Sequence, residues 1–565
     1  MHSEAVCQGA TITGPAAGPS RRRRLNRGPC GPSSSCPVLL RSYRALTGAD
    51  RPRGQTWDTL LPVMERRTWL VIAGAALLSV VVRLRMLWSP VSVDEGGYLA
   101  IARGWSHGQV LYRDVFVDRP QGLLALFRVW DWVSGGSTGS IRIMAMLFGV
   151  LLVVSTGVVV REVAGGVAAG LAAVTCAVVS SAPVLEGYAA NTELLSGAVA
   201  AAGLAVGVLA CRKRHPLLWF YGAGLLAGAA LSLKQSGFDG LVALLASLAL
   251  TVVFAPRLRA AALKAAATLI GGLATVTALL MAHGALTGWS RWWTAVAGYR
   301  LRTQSAFASA DWLNLASTVP YAIVVLGTSA LLAVLGVEAA AHGLGARLRE
   351  TMAPGAIILL LWFLASAGGF LIGGGFWRHY WLLLAAPLSA LAGVGLAQLP
   401  KLRVAALLAA LTPCLAITVW VYAGDSAHLS VRAAGDHHAA VDQLVASWFA
   451  KHRQPGQNLY VLCASAGAYA DAHQDPGYPY LWFVEVRHAP NAERRLVAYL
   501  SDQQHGPQFV AEYERVSSCD PSGGVEKVLR RSFTRVGAVG SVTMLERTPL
   551  ATPATDSAVP VVAPS

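Results

Sequence analysis

The sequence predicts a polytopic α-helical membrane protein with about eleven transmembrane helices and a small C-terminal α/β domain. The first evidence is its composition. Of the 565 residues, 54% are hydrophobic and only 13% are charged, and the mean hydropathy is +0.50. Soluble proteins carry about a quarter charged residues. So many apolar side chains exceed what one aqueous core can bury, and most of them must therefore face lipid.

The apolar residues also occur in blocks, many of which approach the roughly 20 residues that a membrane helix needs. A bilayer offers the backbone no hydrogen-bond partners, so each block must fold as a helix. The predicted spans lie near residues 69–87, 142–160, 164–182, 193–210, 217–233, 237–254, 262–283, 314–337, 354–373, 379–397 and 403–422.

Positive charge is concentrated in short segments between these blocks, which is typical of cytoplasmic loops. The main clusters are Arg66–Arg67, Arg212–Lys213–Arg214, Arg257 with Arg259 and Lys264, Arg347 with Arg349, and Lys401 with Arg403. They predict a cytoplasmic N-terminus and an extracytoplasmic C-terminal domain in a plasma membrane, although Arg83 and Arg85 run against the rule. Because these clusters account for much of the formal charge of +16, we expect no nucleic-acid partner.

The chain divides into four predicted regions. Residues 1–63 are rich in Pro, Gly, Ser and Arg and are expected to be disordered, and Met64 is a second candidate for the start of translation. The membrane region covers residues 64–423. Residues 424–548 alternate helical and β-rich segments, which indicates a small α/β domain. Residues 549–565 form a tail that is expected to be disordered.

The cysteines form neither a CxxC pair nor a zinc-binding spacing. Cys176, Cys211 and Cys414 lie in or beside predicted spans and look like small apolar fillers. Cys463 and Cys519 both belong to the C-terminal domain, where an extracytoplasmic location would permit a disulfide between them.

Ionisable residues are concentrated in the first outer loop, residues 88–141. Its spacing predicts a short helix that opens near Ser92 or Asp94 and lies at the membrane interface. Acidic groups are favoured in a first helical turn, so capping explains one carboxylate of the Asp94–Glu95 pair. Capping does not explain a second cluster of Asp114 and Asp118. Carboxylates at a membrane edge need water, a partner or a function, and we take Asp94 as a candidate functional residue.

This loop resembles the first extracytoplasmic loop of GT-C-fold glycosyltransferases, in the protein O-mannosyltransferase and lipid A aminoarabinose transferase group. The matching residues are Asp94-Glu95-Gly-Gly-Tyr98, then Gly108 to Tyr112 with Asp114, then Asp118-Arg119-Pro120, with Gln121 where the group has a second proline. Further matches are Asn191-Thr192-Glu193, Lys234-Gln235 and Trp377-Arg378-His379-Tyr380. Together they cover residues 69 to 422.

The resemblance implies transfer of a sugar from a polyprenyl-phosphate carrier to an extracytoplasmic glycan, lipid or protein, with membrane lipids around the site. It implies Asp94 as the general base of an inverting displacement, with Glu95 beside it, and binding of the donor phosphate by Arg119, Lys234, Arg378 and His379. Supporting positions are Tyr98, Tyr112, Asp118, Asn191, Glu193, Gln235 and Tyr380. A divalent metal ion is left open, with Glu95, Asp118 and His379 as candidate ligands.

Simpler interpretations stand beside these. Lys234 would serve equally as an interfacial anchor, His379 as a hydrogen-bonded interface histidine, and Glu193 as a helix cap. The main alternative function is a lipid-carrier flippase or another polytopic transporter. A transporter places ionisable residues near the bilayer centre, whereas most charges here lie in loops and at span ends.

Overall fold

The computed structural model describes residues 57–347, 355–425, 429–463, 466–518, 520 and 522–549. Residues 1–56 and 550–565, which make up most of the two segments predicted to be disordered, lie outside the described residues, as does Cys519. The first helix begins at Trp57, inside the N-terminal segment with predicted disorder. Leu60, Leu61 and Val63 extend its apolar character in that direction.

The membrane region is a bundle of helices joined by short turns. From the N-terminus, these helices are α1 (Trp57–Leu84), α2 (Val93–Ser106), α3 (Gln121–Val133), α4 (Ile141–Ala164), α5 (Gly166–Val179), α6 (Thr192–Ala210), α7 (Pro216–Leu233), α8 (Asp239–Phe254), α9 (Arg259–Thr287), α10 (Trp289–Trp293), α11 (Tyr299–Arg347), α12 (Gly355–Gly373), α13 (Leu382–Ala397) and α14 (Arg403–Tyr422).

Every predicted span coincides with an apolar helix. Within the described ranges, eight helices are long and apolar enough to cross a bilayer. Three shorter apolar helices, Gly166–Val179, Asp239–Phe254 and Ile357–Gly373, account for the other predicted spans. Helices α2, α3 and α10 lie in the loops that the charge pattern predicts to be outside. The predicted class of polytopic helical membrane protein is confirmed.

Helix α13 lies at the centre of the bundle and is buried along almost its whole length. Small residues let its neighbours approach closely. A Cβ at Gly393 would lie 2.6 Å from the carbonyl oxygen of Ala168 on α5, and one at Gly395 would lie 2.3 Å from that of Leu332 on α11. Close backbone approach at small residues is the usual way in which membrane helices gain packing energy.

Arg83, an exception to the charge rule, is buried at the end of α1 and makes a structural network. Its guanidinium donates to the carbonyl oxygens of Gly187 at 2.7 Å and Ser180 at 2.8 Å. It also donates to the hydroxyls of Ser79 and Ser181. Arg83 therefore fixes the turn between α5 and α6 and has polar protein partners for its charge.

The C-terminal domain contains helices α15 (Leu429–Ala434), α16 (Ala439–His452), α17 (Gly467–Asp471), α18 (Phe483–His488), α19 (Ala492–Ser501) and α20 (Gly524–Ser532), and strands β1 (Leu459–Leu462), β2 (Phe509–Glu512), β3 (Phe533–Val539) and β4 (Val542–Arg547). The strands form one sheet in the order β1-β2-β4-β3. Strands β1 and β2 are parallel, and the other two pairings are antiparallel. This confirms the α/β class. Cys463 is disulfide-bonded, while its expected partner Cys519 lies outside the described residues.

The C-terminal domain packs directly against the first outer loop. The backbone N–H of Phe116 donates to the carbonyl oxygen of Pro479 at 2.8 Å, and the side chain of Arg103 donates to that of Ala470 at 2.7 Å. Gln109 adds a hydrogen bond to the carbonyl oxygen of Pro476 at 2.8 Å. The loop with the candidate catalytic residues is therefore enclosed between the helix bundle and the C-terminal domain.

Candidate active site

Helix α2 carries the Asp94–Glu95 pair in its first turn. Ser92 is the N-cap, and its hydroxyl accepts from the backbone N–H of Glu95 at 3.4 Å, while the Glu95 carboxylate accepts from the N–H of Ser92 at 2.8 Å. This reciprocal capping box fixes the start of the helix. It confirms the predicted helix start and sends the two adjacent carboxylates in different directions.

Glu95 is fully buried, and both of its oxygens have partners. Its carboxylate pairs with Arg142 at 2.6 Å and accepts from the backbone N–H of Ala190 at 2.7 Å. The guanidinium of Arg142 also lies over the ring of Tyr188, 4.7 Å from the centroid. Glu95 thus joins α2 to α4 and to the turn before α6, in the capping role that the sequence left open.

Asp94 is partly exposed. One of its oxygens, Oδ1, accepts a hydrogen bond from the indole N–H of Trp482 at 3.2 Å. Burial raises the pKa of the Asp94 carboxyl. His379 and Arg119 oppose this rise, and Glu186 and Glu193 add to it. A carboxyl with a raised pKa, in a pocket of charged groups, has the properties of a general base.

On one side of Asp94 lies the loop arginine cluster, which consists of Asp118, Arg119 and Arg300. The Asp118 carboxylate pairs with Arg119 through one oxygen and with Arg300 through the other. Burial alone would raise the pKa of Asp118, but the two arginines outweigh it and lower that pKa to about 2. The cluster therefore holds two positive charges and one negative charge. The buried Nε of Arg119 has no hydrogen-bond partner.

The second set of charges, the buried ion-pair cluster, consists of Glu186, Glu193, Lys234 and His379. Glu193 opens α6 and pairs with the ammonium of Lys234. His379 lies 3.3 Å from Glu186 through Nδ1 and 3.8 Å from Glu193 through Nε2. These four residues come from the turn before α6, from α6 itself, from the turn after α7 and from the turn before α13.

The supporting residues surround these groups. Asn191 caps α6, with its side-chain oxygen 2.9 Å from the N–H of Leu194. Lys234 lies 3.8 Å from the centroid of the Tyr380 ring. Gln235 donates to the carbonyl oxygen of Asp118 at 2.9 Å and so links the turn after α7 to the loop arginine cluster.

Two tyrosines predicted from the first loop take different positions. Tyr98 is buried between Phe127 and Trp482, with ring centroids 5.6 and 5.7 Å away. Tyr112 has a positive φ of 67° and donates from its hydroxyl to the carbonyl oxygen of Arg119 at 3.0 Å. Tyr112 therefore holds the backbone at Arg119.

Arg378 forms contacts outside the two clusters. Its guanidinium donates to the carbonyl oxygen of Ala433 at 3.0 Å and lies over the ring of Tyr321, 4.1 Å from the centroid. These contacts give it a structural role between the membrane region and α15. Binding of the donor phosphate by Arg378 stays a prediction.

The three candidate metal ligands have separate partners. Glu95 pairs with Arg142, Asp118 with two arginines, and His379 with two glutamates. No group of three or more His, Cys, Asp or Glu side chains among the described residues is arranged to hold a metal ion. The residues present therefore do not fit a metal centre built from Glu95, Asp118 and His379.

Sequence reasoning missed Arg300 and Trp482. Arg300 lies at the start of α11, 182 residues after Asp118, and Trp482 lies 388 residues after Asp94. Neither belongs to a recognisable motif. The only signal for Arg300 was its place in a predicted outer loop, and the C-terminal domain gave none for Trp482.

The helix bundle defines this chain as a multi-pass membrane protein with the GT-C fold. The fold is similar to that of ArnT from Cupriavidus metallidurans bound to undecaprenyl phosphate. The TM-score is 0.54 at 15% identity, covering 84% of this chain and 97% of that chain. The fold is also similar to that of the archaeal oligosaccharyltransferase AglB from Archaeoglobus fulgidus in complex with an inhibitory peptide and a dolichol-phosphate. There the TM-score is 0.51 at 15% identity, covering 87% of this chain and 75% of that one.

No protein-family model and no curated protein matches the sequence. At such low identity the structural similarity establishes the fold alone. Since one fold can support different activities, the function has to be argued from the site.

Proposed function

We propose that this protein is a membrane glycosyltransferase that moves a sugar from a polyprenyl-phosphate carrier to an extracytoplasmic acceptor hydroxyl. The observation that carries the proposal is the position of Asp94. This carboxylate is half-buried, and its partial removal from water raises its pKa. Arg119 and His379 are close enough to act on it electrostatically. The site thus combines a base for an acceptor with cations for a phosphate.

The loop arginine cluster suits the donor phosphate. A sugar linked to a lipid through a phosphodiester carries one negative charge, and the cluster has one positive charge in excess. Arginine is well matched to phosphate because its planar group donates in a fixed fork. The unpartnered Nε of Arg119 supplies a donor that the protein itself does not use. Arg119 and Arg300 would therefore stabilise the phosphate as it departs.

Asp94 is assigned as the general base. The acceptor hydroxyl attacks the anomeric carbon as its proton passes to Asp94, and a new carbon–oxygen bond forms. The bond from the anomeric carbon to the phosphate oxygen breaks on the opposite face, and its electron pair stays on the phosphate. This displacement inverts the anomeric configuration. A positioned base of suitable pKa contributes about 10²- to 10⁴-fold in rate.

The buried ion-pair cluster has a supporting role in this proposal. Lys234 and His379 are already paired with Glu193 and Glu186, so they offer less free positive charge than the loop arginine cluster does. They fix α6, the turn after α7 and the turn before α13 around Asp94. Lys234 and His379 would contribute a fixed electrostatic field and add a direct phosphate contact only if the donor displaces a partner.

In this proposal the carrier presents its sugar on the extracytoplasmic side, where the positive-inside pattern predicts these loops. Trp289 and Trp293 of α10 and Trp312 of α11 are exposed. Tryptophans are enriched where membrane helices meet water. A lipid tail would lie among the spans with its phosphate at this level.

The test is a transfer assay with purified protein in lipid nanodiscs and a panel of radiolabelled polyprenyl-phosphate sugars. The wild type should release or transfer one of the sugars, and Asp94→Asn should lose at least about 10²-fold in turnover while still binding the carrier. Asp114→Asn is the matched control, because Asp114 lies in the same loop but pairs with Arg113 at the surface.

The proposed enzymatic function would be contradicted if both proteins bind the carrier and move it between leaflets but neither transfers nor hydrolyses the sugar. That result would favour the flippase. Equal turnover by the wild type and Asp94→Asn would remove Asp94 from the role of base.

A further inference from the structure

The C-terminal domain contacts Asp94 through the side chain of Trp482. Its indole N–H donates to Oδ1 of Asp94 at 3.2 Å, and its ring packs against Tyr98. Trp482 is also the N-cap of α18, and its carbonyl oxygen accepts hydrogen bonds from the backbone N–H groups of Glu485 at 2.9 Å and Val486 at 3.2 Å. The residue that touches Asp94 is thus fixed at its ring and at its backbone.

Two glycines in α2 make this contact possible. A Cβ on Gly97 would lie 2.4 Å from the Trp482 ring, and a Cβ on Gly96 would lie 2.4 Å from the Cα of Gly467 in α17. Glycine inside a helix is unfavourable relative to alanine. Its presence at both positions directly after Asp94–Glu95 is explained by the close approach of the C-terminal domain.

We propose that Trp482 is a positioning residue for Asp94, so that the active site is complete only when the C-terminal domain is docked on α2. This inference rests on the function proposed above. The indole N–H holds Oδ1 and thereby directs the remaining oxygen, Oδ2, toward the acceptor hydroxyl. A hydrogen bond from a neutral donor also favours the ionised carboxylate.

The groups that face Asp94 come from four other segments. They are Arg119 in the first outer loop, Glu186 in the turn before α6, Glu193 in α6 and His379 in the turn before α13. Arg119 is cationic, His379 becomes cationic when it is protonated, and the two glutamates are acidic. Trp482 differs from all of them because it never carries a charge, so removing its N–H changes the environment of Asp94 without adding or removing a charge.

The test compares Trp482→Phe with the wild type across a pH series, using full-length protein in nanodiscs and the donor identified for the wild type. Phenylalanine keeps an aromatic ring but lacks the N–H. The turnover number should fall about tenfold to a hundredfold, because small misplacements of a catalytic group are costly. The acid limb of the pH–rate profile should move to higher pH, while carrier binding stays unchanged.

Two further variants keep the test independent of a folding defect. Gly97→Ala leaves Trp482 in the chain but places a methyl group where its ring lies, and should reproduce the shift of the acid limb. Gly271→Ala is its control, since a Cβ at that helical position meets nothing within 4 Å. Trp448→Phe is the control for Trp482→Phe, because Trp448 lies in the same domain and stacks on His452 with centroids 4.1 Å apart.

The outcomes separate this inference from the proposed function. The positioning role is overturned if the acid limb of the pH–rate profile is the same in Trp482→Phe, Gly97→Ala and the wild type. This holds even if turnover falls in the two variants. If the wild type transfers no sugar, or if Asp94→Asn is as active as the wild type, the proposed function fails and the positioning role fails with it.

Discussion

Asp118 and Arg300 form an ion pair across 182 residues of sequence, joining the first outer loop to the start of α11. Because Arg119 binds the other oxygen of the same carboxylate, a single acid holds two guanidinium groups in one place. Asp118 keeps the positive charges of Arg119 and Arg300 close together. The three side chains together carry one positive charge in excess. In the proposed mechanism, that excess charge meets the donor phosphate.

Arg300→Lys should therefore weaken donor binding while preserving the fold. Lysine keeps the charge but lacks the fork that holds Asp118 and a phosphate together. We expect the dissociation constant for the carrier to rise about tenfold, since a charge-assisted hydrogen bond contributes about 1.5–3 kcal/mol. The measurement is carrier binding in nanodiscs. Arg302→Lys, an exposed position on the same helix, is the control, and equal affinities for all three proteins would contradict the assignment.

The Glu193–Lys234 pair should behave as a buried ion pair. Glu193→Gln leaves the Lys234 ammonium without its carboxylate and should lower the free energy of unfolding by about 3–5 kcal/mol. The double variant Glu193→Gln with Lys234→Met should recover much of that loss, because no unpaired charge remains. Thermal unfolding in detergent would measure both. A double variant as unstable as the single one would show that the pair is not the source of the effect.

Arg83→Leu should destabilise the turn between α5 and α6. The substitution leaves the carbonyl oxygens of Ser180 and Gly187 without their buried donor, and each unsatisfied buried group costs about 1–3 kcal/mol. Since Glu186 lies in that turn, activity should fall along with thermal stability. Arg67→Leu, at an exposed position earlier in the same helix, should have little effect on either. An unchanged unfolding temperature in Arg83→Leu would contradict the structural role.

The pH–rate profile should reflect Asp94 and not Asp118. A general base must be ionised, and the pKa of Asp94 is raised from 3.8 by burial, so turnover should fall with decreasing pH at a value above that of a free aspartate. The pKa of Asp118 is about 2, so this carboxylate stays ionised throughout the working range. Asp118→Asn should weaken carrier binding without moving the acid limb. If the acid limb of the pH–rate profile disappears in Asp118→Asn, then Asp118 and not Asp94 acts as the general base.

Much of the fold could be predicted because it depends on local sequence. Each span is an apolar block that must be helical in lipid. In the C-terminal domain the sequence predicts β-rich runs at residues 458–463, 508–513 and 541–545, and these coincide with β1, β2 and β4. Strand β3 was missed, because it is a sheet edge with mostly exposed side chains and lacks the buried alternation of its partners. Arg83 was assigned to no role, since its partners lie about 100 residues away.

The site could be predicted only in part. The first loop could be recognised by its density of charged residues. Five of the predicted site residues lie around one region of the structure: Asp94, Asp118, Arg119, Lys234 and His379. Sequence alone could not separate Asp94 from Glu95, because two adjacent residues of a helix point in different directions and only the fold places Arg142 beside one of them. Arg300 and Trp482 depend on tertiary contacts that no local pattern encodes.

The most direct test of the central claim is the single-turnover rate of sugar transfer from a labelled donor already bound to the enzyme, measured for the wild type and Asp94→Asn in nanodiscs. Prebinding the donor separates the chemical step from carrier binding. We expect a burst of transferred or released sugar from the wild type. In Asp94→Asn the single-turnover rate should be lower by at least about 10²-fold, with an equal amount of bound donor. Equal single-turnover rates in the two proteins would contradict it.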